Sequence, residues 1–190
     1  MAKADGAQID RLAALAREGD RQAFSQIVRM MMNNVMALTY RMTGDREAAR
    51  DLTQETFVSA WENLANFRGE AAFTSWLFRI ASNKSLNYLK SSDRKNRSLD
   101  DETAEPVAVP EEESSPERHL ANRQLREQLH EFLADLPDAQ RRVFELRFYQ
   151  QLKFTEIAAV IGKAEGTAKT HYRLAVAKLR DWAREKGWHQ

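Results

Sequence analysis

Residues 154–180 read FTEIAAVIGKAEGTAKTHYRLAVAKLR, and their spacing decides the fold. Residues 155–161 (TEIAAVI) predict a short amphipathic helix, Gly162-Lys163-Ala164-Glu165-Gly166 a turn, and residues 167 to about 185 a longer helix, which is helix-turn-helix spacing. On the second helix Ala168, Tyr172, Ala175, Val176 and Leu179 fall on one stripe, which must face the first helix and its supports. The opposite side carries Thr167, Thr170, Arg173 and Lys178, flanked by Lys169 and His171. From Gly166 to Arg180 there are four Lys or Arg and no acid, a surface suited to a phosphate-lined groove. Any soluble helix can carry a solvated basic face; the glycine-flanked turn between two amphipathic helices is what favours DNA.

Outward from that stretch, only seven Gly and four Pro punctuate the chain. They leave helix-length intervals at 20–43, 45–68, 70–105, 117–136, 138–161 and 167–186. No segment alternates apolar and polar residues with β-branched enrichment, so a sheet has no support. Gly44 supplies a helix C-cap and Asp45 the next N-cap; Ser115-Pro116-Glu117 and Leu136-Pro137-Asp138 carry the proline signal of a helix start. The expected fold is all-α: two small helical domains joined by a flexible acidic linker, the C-terminal one containing the helix-turn-helix.

Charge divides the chain in the same way. The 190 residues carry a formal net charge of +1, but residues 1–97 hold 15 Lys+Arg against 11 Asp+Glu, 98–117 hold none against 8, and 118–190 hold 14 against 9. Two mildly basic blocks flank an acidic one, which points to a polyanionic partner for the blocks and not for the middle. The domains are therefore read as 1–97 and 117–190, with 98–116 as a linker that leaves them free to sit well apart. Without cysteine there are no disulfides, thiolate metal sites or cysteine nucleophiles. No apolar run approaches the roughly 18 residues that cross a bilayer, and the first ten residues lack the apolar core of a secretory signal, so a cytoplasmic protein is expected.

In the N-terminal block, a helix over about 71–91 would place Trp76, Arg79, Asn83, Asn87 and Lys90 on one side. Aromatic, amide and cationic groups together can stack on an unpaired base, bond its edge and hold its phosphate. Lys90, Arg94, Lys95 and Arg97 continue the positive charge, and Phe67, Arg68 and Gly69 add a second aromatic and a flexible loop. Trp76 as a core plug with solvated amides is an equal reading from spacing alone. The preceding helix, 45–65, turns Ala49, Phe57, Ala60 and Leu64 inward and Asp51, Gln54, Glu55 and Glu62 outward, with Val58 exposed among them. That face is a docking surface or plain solubility. Met30, Met31, Met32, Met36 and Met42 read as core filler.

The segments GDRQAF (19–24), DLTQETFVSAW (51–61), NFRGEAAFTSWLFRIASN (66–83), SPER (115–118) and LPDAQRRVFELRF (136–148), together with 154–180, resemble the extracytoplasmic-function (ECF) sigma factors of bacteria. The resemblance covers nearly the whole chain in the family's order and spacing. It implies an alternative sigma factor that binds core RNA polymerase, directs it to promoters and helps open DNA. Asp51, Gln54, Glu55 and Val58 would bind the polymerase clamp. Asn83 would hold a flipped minus 10 base, with Phe67, Arg68, Trp76, Arg79 and Asn87 around it. Thr167, Lys169, Thr170, His171 and Arg173 would read the minus 35 element, while the C-terminal domain grips the flap. The resemblance further implies an anti-sigma factor able to hold the chain at the inner membrane, and neither cofactor nor small-molecule substrate. Lys153, Lys163 and Leu174-Ala175-Val176 depart from the family pattern.

The alternative is a free-standing helix-turn-helix regulator, which leaves the Trp76–Asn83 stripe without a task. An enzyme has little support: Glu127-x-x-His130 has no second copy, His119 lies 11 residues away, and neither a phosphate loop nor a Ser/His/Asp set is present. No catalytic or metal-binding residues are assigned.

Overall fold

The computed structural model describes residues 3–96, 128–129 and 132–187, and among them there is no strand. The acidic linker 98–116, the Ser115-Pro116-Glu117 start signal, His119, Glu127, His130 and Arg97 lie outside the described residues.

Helix α1 (Lys3–Arg17) is absent from the sequence reading, although Ile9, Leu12, Ala13 and Ala16 recur at helical spacing and are buried. Helix α2 (Arg21–Thr43) starts at Asp20, whose Oδ1 accepts from the Gln22 and Ala23 amides at 2.8 and 3.0 Å. It ends at Gly44, held at φ 78° while its N–H donates to the Tyr40 carbonyl; a side chain would be strained in that left-handed cap. Phe24, Ile27, Met31, Val35, Leu38 and Met42 make α2 the central helix of the N-terminal module. Of the methionines, Met31 and Met42 fill the core as expected, whereas Met32 is exposed.

Asp45 caps α3 (Arg46–Glu62) through the Ala48 amide at 3.0 Å, and its second oxygen accepts from the Tyr88 hydroxyl at 2.9 Å. Burial, then the hydrogen bond and charge of Asp45, push the Tyr88 phenol up to about 12. Small residues let α2 and α3 approach closely: Thr39 and Thr53 hydroxyls meet at 3.0 Å, and both also bond the Ala49 carbonyl. The expected helix over 45–65 stops at Glu62, and a 3-10 turn, Leu64–Asn66, leads into the loop before α4 (Phe73–Asn96). Asp10 of α1 caps that helix, accepting from the Phe73 amide at 2.8 Å.

In the C-terminal module α5 (Asp138–Phe144) runs into a π turn, Glu145–Tyr149, so the uninterrupted interval 138–161 is not one helix. Gln151, at φ 56°, reverses the chain before α6 (Phe154–Ile161). Lys153 offers no side-chain acceptor at that start; its amide instead donates to Glu156 Oε2 at 2.7 Å. Helix α7 (Glu165–Glu185) begins earlier than the sequence suggests, because Gly166 continues the helix and the turn shrinks to three residues after Ile161. Phe132, Leu133, Leu136, Phe144 and Ala175 form this module's own small core.

The two modules do not sit apart. α4 packs against α6, and one apolar cluster runs from Ile9, Met31 and Phe78 through to Val143, Leu146, Ile157 and Val160. The cause is invisible to composition: apolar surface on the C-terminal module finds a matching surface on α2 and α4, and removing it from water is worth roughly 1.5–3 kcal/mol per fully buried large side chain.

Candidate nucleic-acid and polymerase interface

Three surfaces carry the residues that sequence spacing singled out. On α3, Asp51, Gln54 and Glu55 are exposed, and Val58 stands 49% exposed beside them. Glu55 pairs with Lys84 of α4 at 3.0 Å. Trp61, three residues after Val58 and half-exposed, extends the apolar part of this face while its ring leans on Phe24 at 5.0 Å. The sequence reading missed it, although the spacing from Val58 was there to use.

The loop after α3 and the start of α4 form the second surface. Phe67, Phe73 and Trp76 stack as a trio with ring centroids 5.3 Å apart. Phe73 is fully buried beneath, so Phe67 and Trp76 are anchored from below and only half-buried above. Trp76 packs on the core, and it also lines a cavity of about 380 Å³. That cavity also gathers Arg68 and Arg79, and the Ser75 hydroxyl on its wall is buried with no hydrogen-bond partner. Arg17 of α1 pins the loop by donating to the Phe67 carbonyl at 3.2 Å. Asn83 and Asn87 lie one and two turns further along α4, exposed and outside the cavity lining. Asn83 Oδ1 accepts from Arg142 Nη2 at 2.8 Å, an engagement that sequence spacing had no means of giving. The side chains of Arg94 and Lys95 are outside the described set.

On α7, Ala168 and Ala175 are buried and Tyr172, Val176 and Leu179 half-buried, the stripe that periodicity predicts. Lys169, Thr170 and Arg173 are exposed and Thr167 half-exposed. Lys169 pairs with Glu165 at 2.6 Å, and the Thr170 hydroxyl donates to the Gly166 carbonyl at 2.9 Å. His171 is half-buried, with Nδ1 turned inward and without a partner. Leu174 is 43% exposed, an apolar group on an otherwise polar face. Among the described residues no group of three or more His, Cys, Asp or Glu could hold a metal ion, and no helix is long and apolar enough to cross a membrane.

An acidic face, an aromatic and basic cavity and a helix-turn-helix thus follow one another in the chain, and the comparisons with known proteins place the first two in one family match and the third in another. Residues 27–95 match the family Sigma-70 region 2, and residues 126–179 match Sigma-70, region 4. The RNA polymerase sigma-H factor of Pseudomonas aeruginosa is 31% identical over 169 residues, covering 86% of this chain and 87% of that protein. The ECF RNA polymerase sigma-E factor of Escherichia coli strain K12 is 32% identical over 164 residues, covering 84% and 85%. The chain belongs to the ECF sigma factors. The solved structure of CnrH in complex with the cytosolic domain of CnrY matches this sigma factor with a TM-score of 0.68 and 27% identity, covering 93% of this chain and 98% of that one. The sigma factor RpoE of Bartonella quintana, solved with the anti-sigma factor NepR, shares the fold at a TM-score of 0.67 and 23% identity, over 85% and 96% of the two chains.

Proposed function

We propose that this ECF sigma factor recruits core RNA polymerase to its promoters through three separate faces, and that it performs no chemistry of its own. Residues 1–97 act as the clamp-binding and minus 10 module, 98–116 as the tether, and 117–190 as the flap-binding and minus 35 module. Asp51, Gln54, Glu55 and Val58 offer the clamp a charged rim around an apolar contact. Phe67, Arg68, Trp76 and Arg79 surround the melted strand, and Asn83 and Asn87 bond base edges that duplex DNA would hide. Thr167, Lys169, Thr170, His171 and Arg173 lie toward the major groove of the minus 35 element.

The observation that carries this reading is the cavity edged by Trp76, Arg68 and Arg79: an aromatic face with two cations beside it fits an unstacked nucleotide, such as a strand-opening factor meets. Work on DNA beside polymerase fits a cytoplasmic protein, and no cofactor is needed. CnrH was solved with the cytosolic domain of CnrY bound, which favours a protein partner here of the anti-sigma class, able to hold this chain at the inner membrane. Run-off transcription with purified chain and core polymerase tests the reading. Promoter-specific transcripts that vanish without this chain are expected; unchanged start-site choice would refute it.

A further inference from the structure

Helix α7 carries a large apolar side chain on its otherwise polar outer face. Thr167, Thr170, Leu174 and Lys178 recur at spacings of three and four, so they form one column along the helix. Leu174 is 43% exposed in the middle of that column and belongs to neither apolar core. A lone exposed leucine is ordinary on a protein surface, but the surroundings of this one are not. Lys169 and Arg173 beside the column and Lys178 at its end are exposed, and no acid lies between Gly166 and Arg180, so the surface is complementary to a polyanion. Two of the nearest donors are already engaged: the Thr170 hydroxyl donates to the Gly166 carbonyl at 2.9 Å, and Lys169 pairs with Glu165 at 2.6 Å. The middle of the column therefore offers an incoming groove the aliphatic surface of Leu174 and Thr170, with Ala177 exposed beside them.

We propose that Leu174 reads a thymine in the upstream promoter element through the C5-methyl group of the base, which makes it a specificity-determining residue of this sigma factor. The inference rests on the sigma-factor reading above and names what one residue of the minus 35 surface recognises. In the major groove thymine presents a methyl group beside its O4 acceptor, whereas guanine presents two acceptors that a leucine has no donor to meet. At 1.5 Å of rise per residue Leu174 lies about 10 Å along the axis from Thr167, inside a groove about 12 Å wide, and Lys178 lies about 6 Å further on, toward the phosphate wall. Closing Leu174 onto the methyl takes apolar surface of both out of water, while Arg173 and Lys178 hold phosphates without choosing a sequence. 5-Methylcytosine carries the same methyl at the same place in the groove, so Leu174 accepts it as well. The stretch Leu174-Ala175-Val176 also departs from the family pattern, so this contact is a property of this chain.

Leu174 lies outside both cores, so Leu174→Ala keeps the fold, which helix content by circular dichroism checks. Duplexes with a long randomised stretch are selected on the holoenzyme formed with core polymerase, once with the parent chain and once with Leu174→Ala. The parent should enrich an upstream element containing a thymine that Leu174→Ala no longer selects, while the rest of the element stays. In a duplex from the parent selection, uracil is then placed at each thymine of that element in turn, which removes only the methyl. At one of them affinity for the parent holoenzyme should fall about fourfold, as the burial of one such group is worth, and affinity for the Leu174→Ala holoenzyme should not change. With cytosine at that position the parent should bind weakly, and 5-methylcytosine should restore part of the loss. The same thymines enriched by both chains, or uracil tolerated by the parent at every position, would overturn the proposal, and the parent titration stands without the variant. An upstream element enriched without dependence on residue 174 leaves the sigma-factor reading in place and removes only the thymine contact. A pool no different from that selected by core polymerase alone counts against the sigma-factor reading itself, and the contact falls with it.

Discussion

Glu145→Gln should flatten the pH dependence of this protein's stability between pH 6 and 8. The Glu145 carboxyl has no exposure to solvent, and burial pushes it up from 4.5 to about 7, opposed by the charge and hydrogen bond of Arg41 and then by the charge of Arg141. Tyr149 also faces the pair, its own hydroxyl pushed up to about 12 by burial and then by the charge of Glu145. The folded state therefore binds the Glu145 proton more tightly than the unfolded chain. That contribution is fully present below pH 4.5 and is lost as pH rises through about 7. Its whole span is about 3 kcal/mol, and the part that falls between pH 6 and 8 is about 1 kcal/mol. Gln keeps the size and an acceptor for Arg41 but cannot titrate. Urea unfolding at constant ionic strength should show the parent gaining about 1 kcal/mol more than Glu145→Gln on going from pH 8 to pH 6. Parallel pH profiles for the two proteins would refute the reasoning, because they would mean that Glu145 titrates alike in both states.

Asp51→Arg should weaken binding to core polymerase, whereas Asn83→Ala should weaken promoter opening more than polymerase binding; equal loss of core affinity in both would contradict separate faces. Arg173→Ala in the holoenzyme should lower promoter affinity and reduce the log-log salt slope by about 0.9, the value for one phosphate contact. An unchanged slope would remove Arg173 from the DNA backbone. Asp20→Ala deletes the oxygen that accepts two amides at the start of α2 and should cost roughly 1 kcal/mol, seen as a lower midpoint in thermal circular dichroism. An unshifted midpoint would show that the cap adds nothing.

What the sequence reveals and hides follows from the range of each interaction. Gly44 and Asp45 were legible because capping is chemistry between residues at most four apart. The stripe of α7 was legible because a helix repeats every 3.6 residues. Gly166 misled: glycine after an acid looks like a turn, yet here it continues a helix whose N-cap is Ala164. The first helix was overlooked because its four buried positions are spread through a polar segment. The predicted minus 10 residues divide between a cavity and a stretch of α4 beyond it, a distinction that a helical wheel flattens. The packing of one module on the other was illegible for a stronger reason. Asn83 and Arg142 are 59 residues apart and Arg41 and Glu145 are 104 apart, and nothing local to either member announces its partner.

Asp10 and Arg17 give the first helix an influence beyond its own packing. They brace the segment 67–73 from behind, one by the amide that opens α4 and one by the Phe67 carbonyl. Under the proposed function, substitutions at these two positions would alter promoter preference without touching a nucleotide, since a backstop that shifts re-aims everything resting on it.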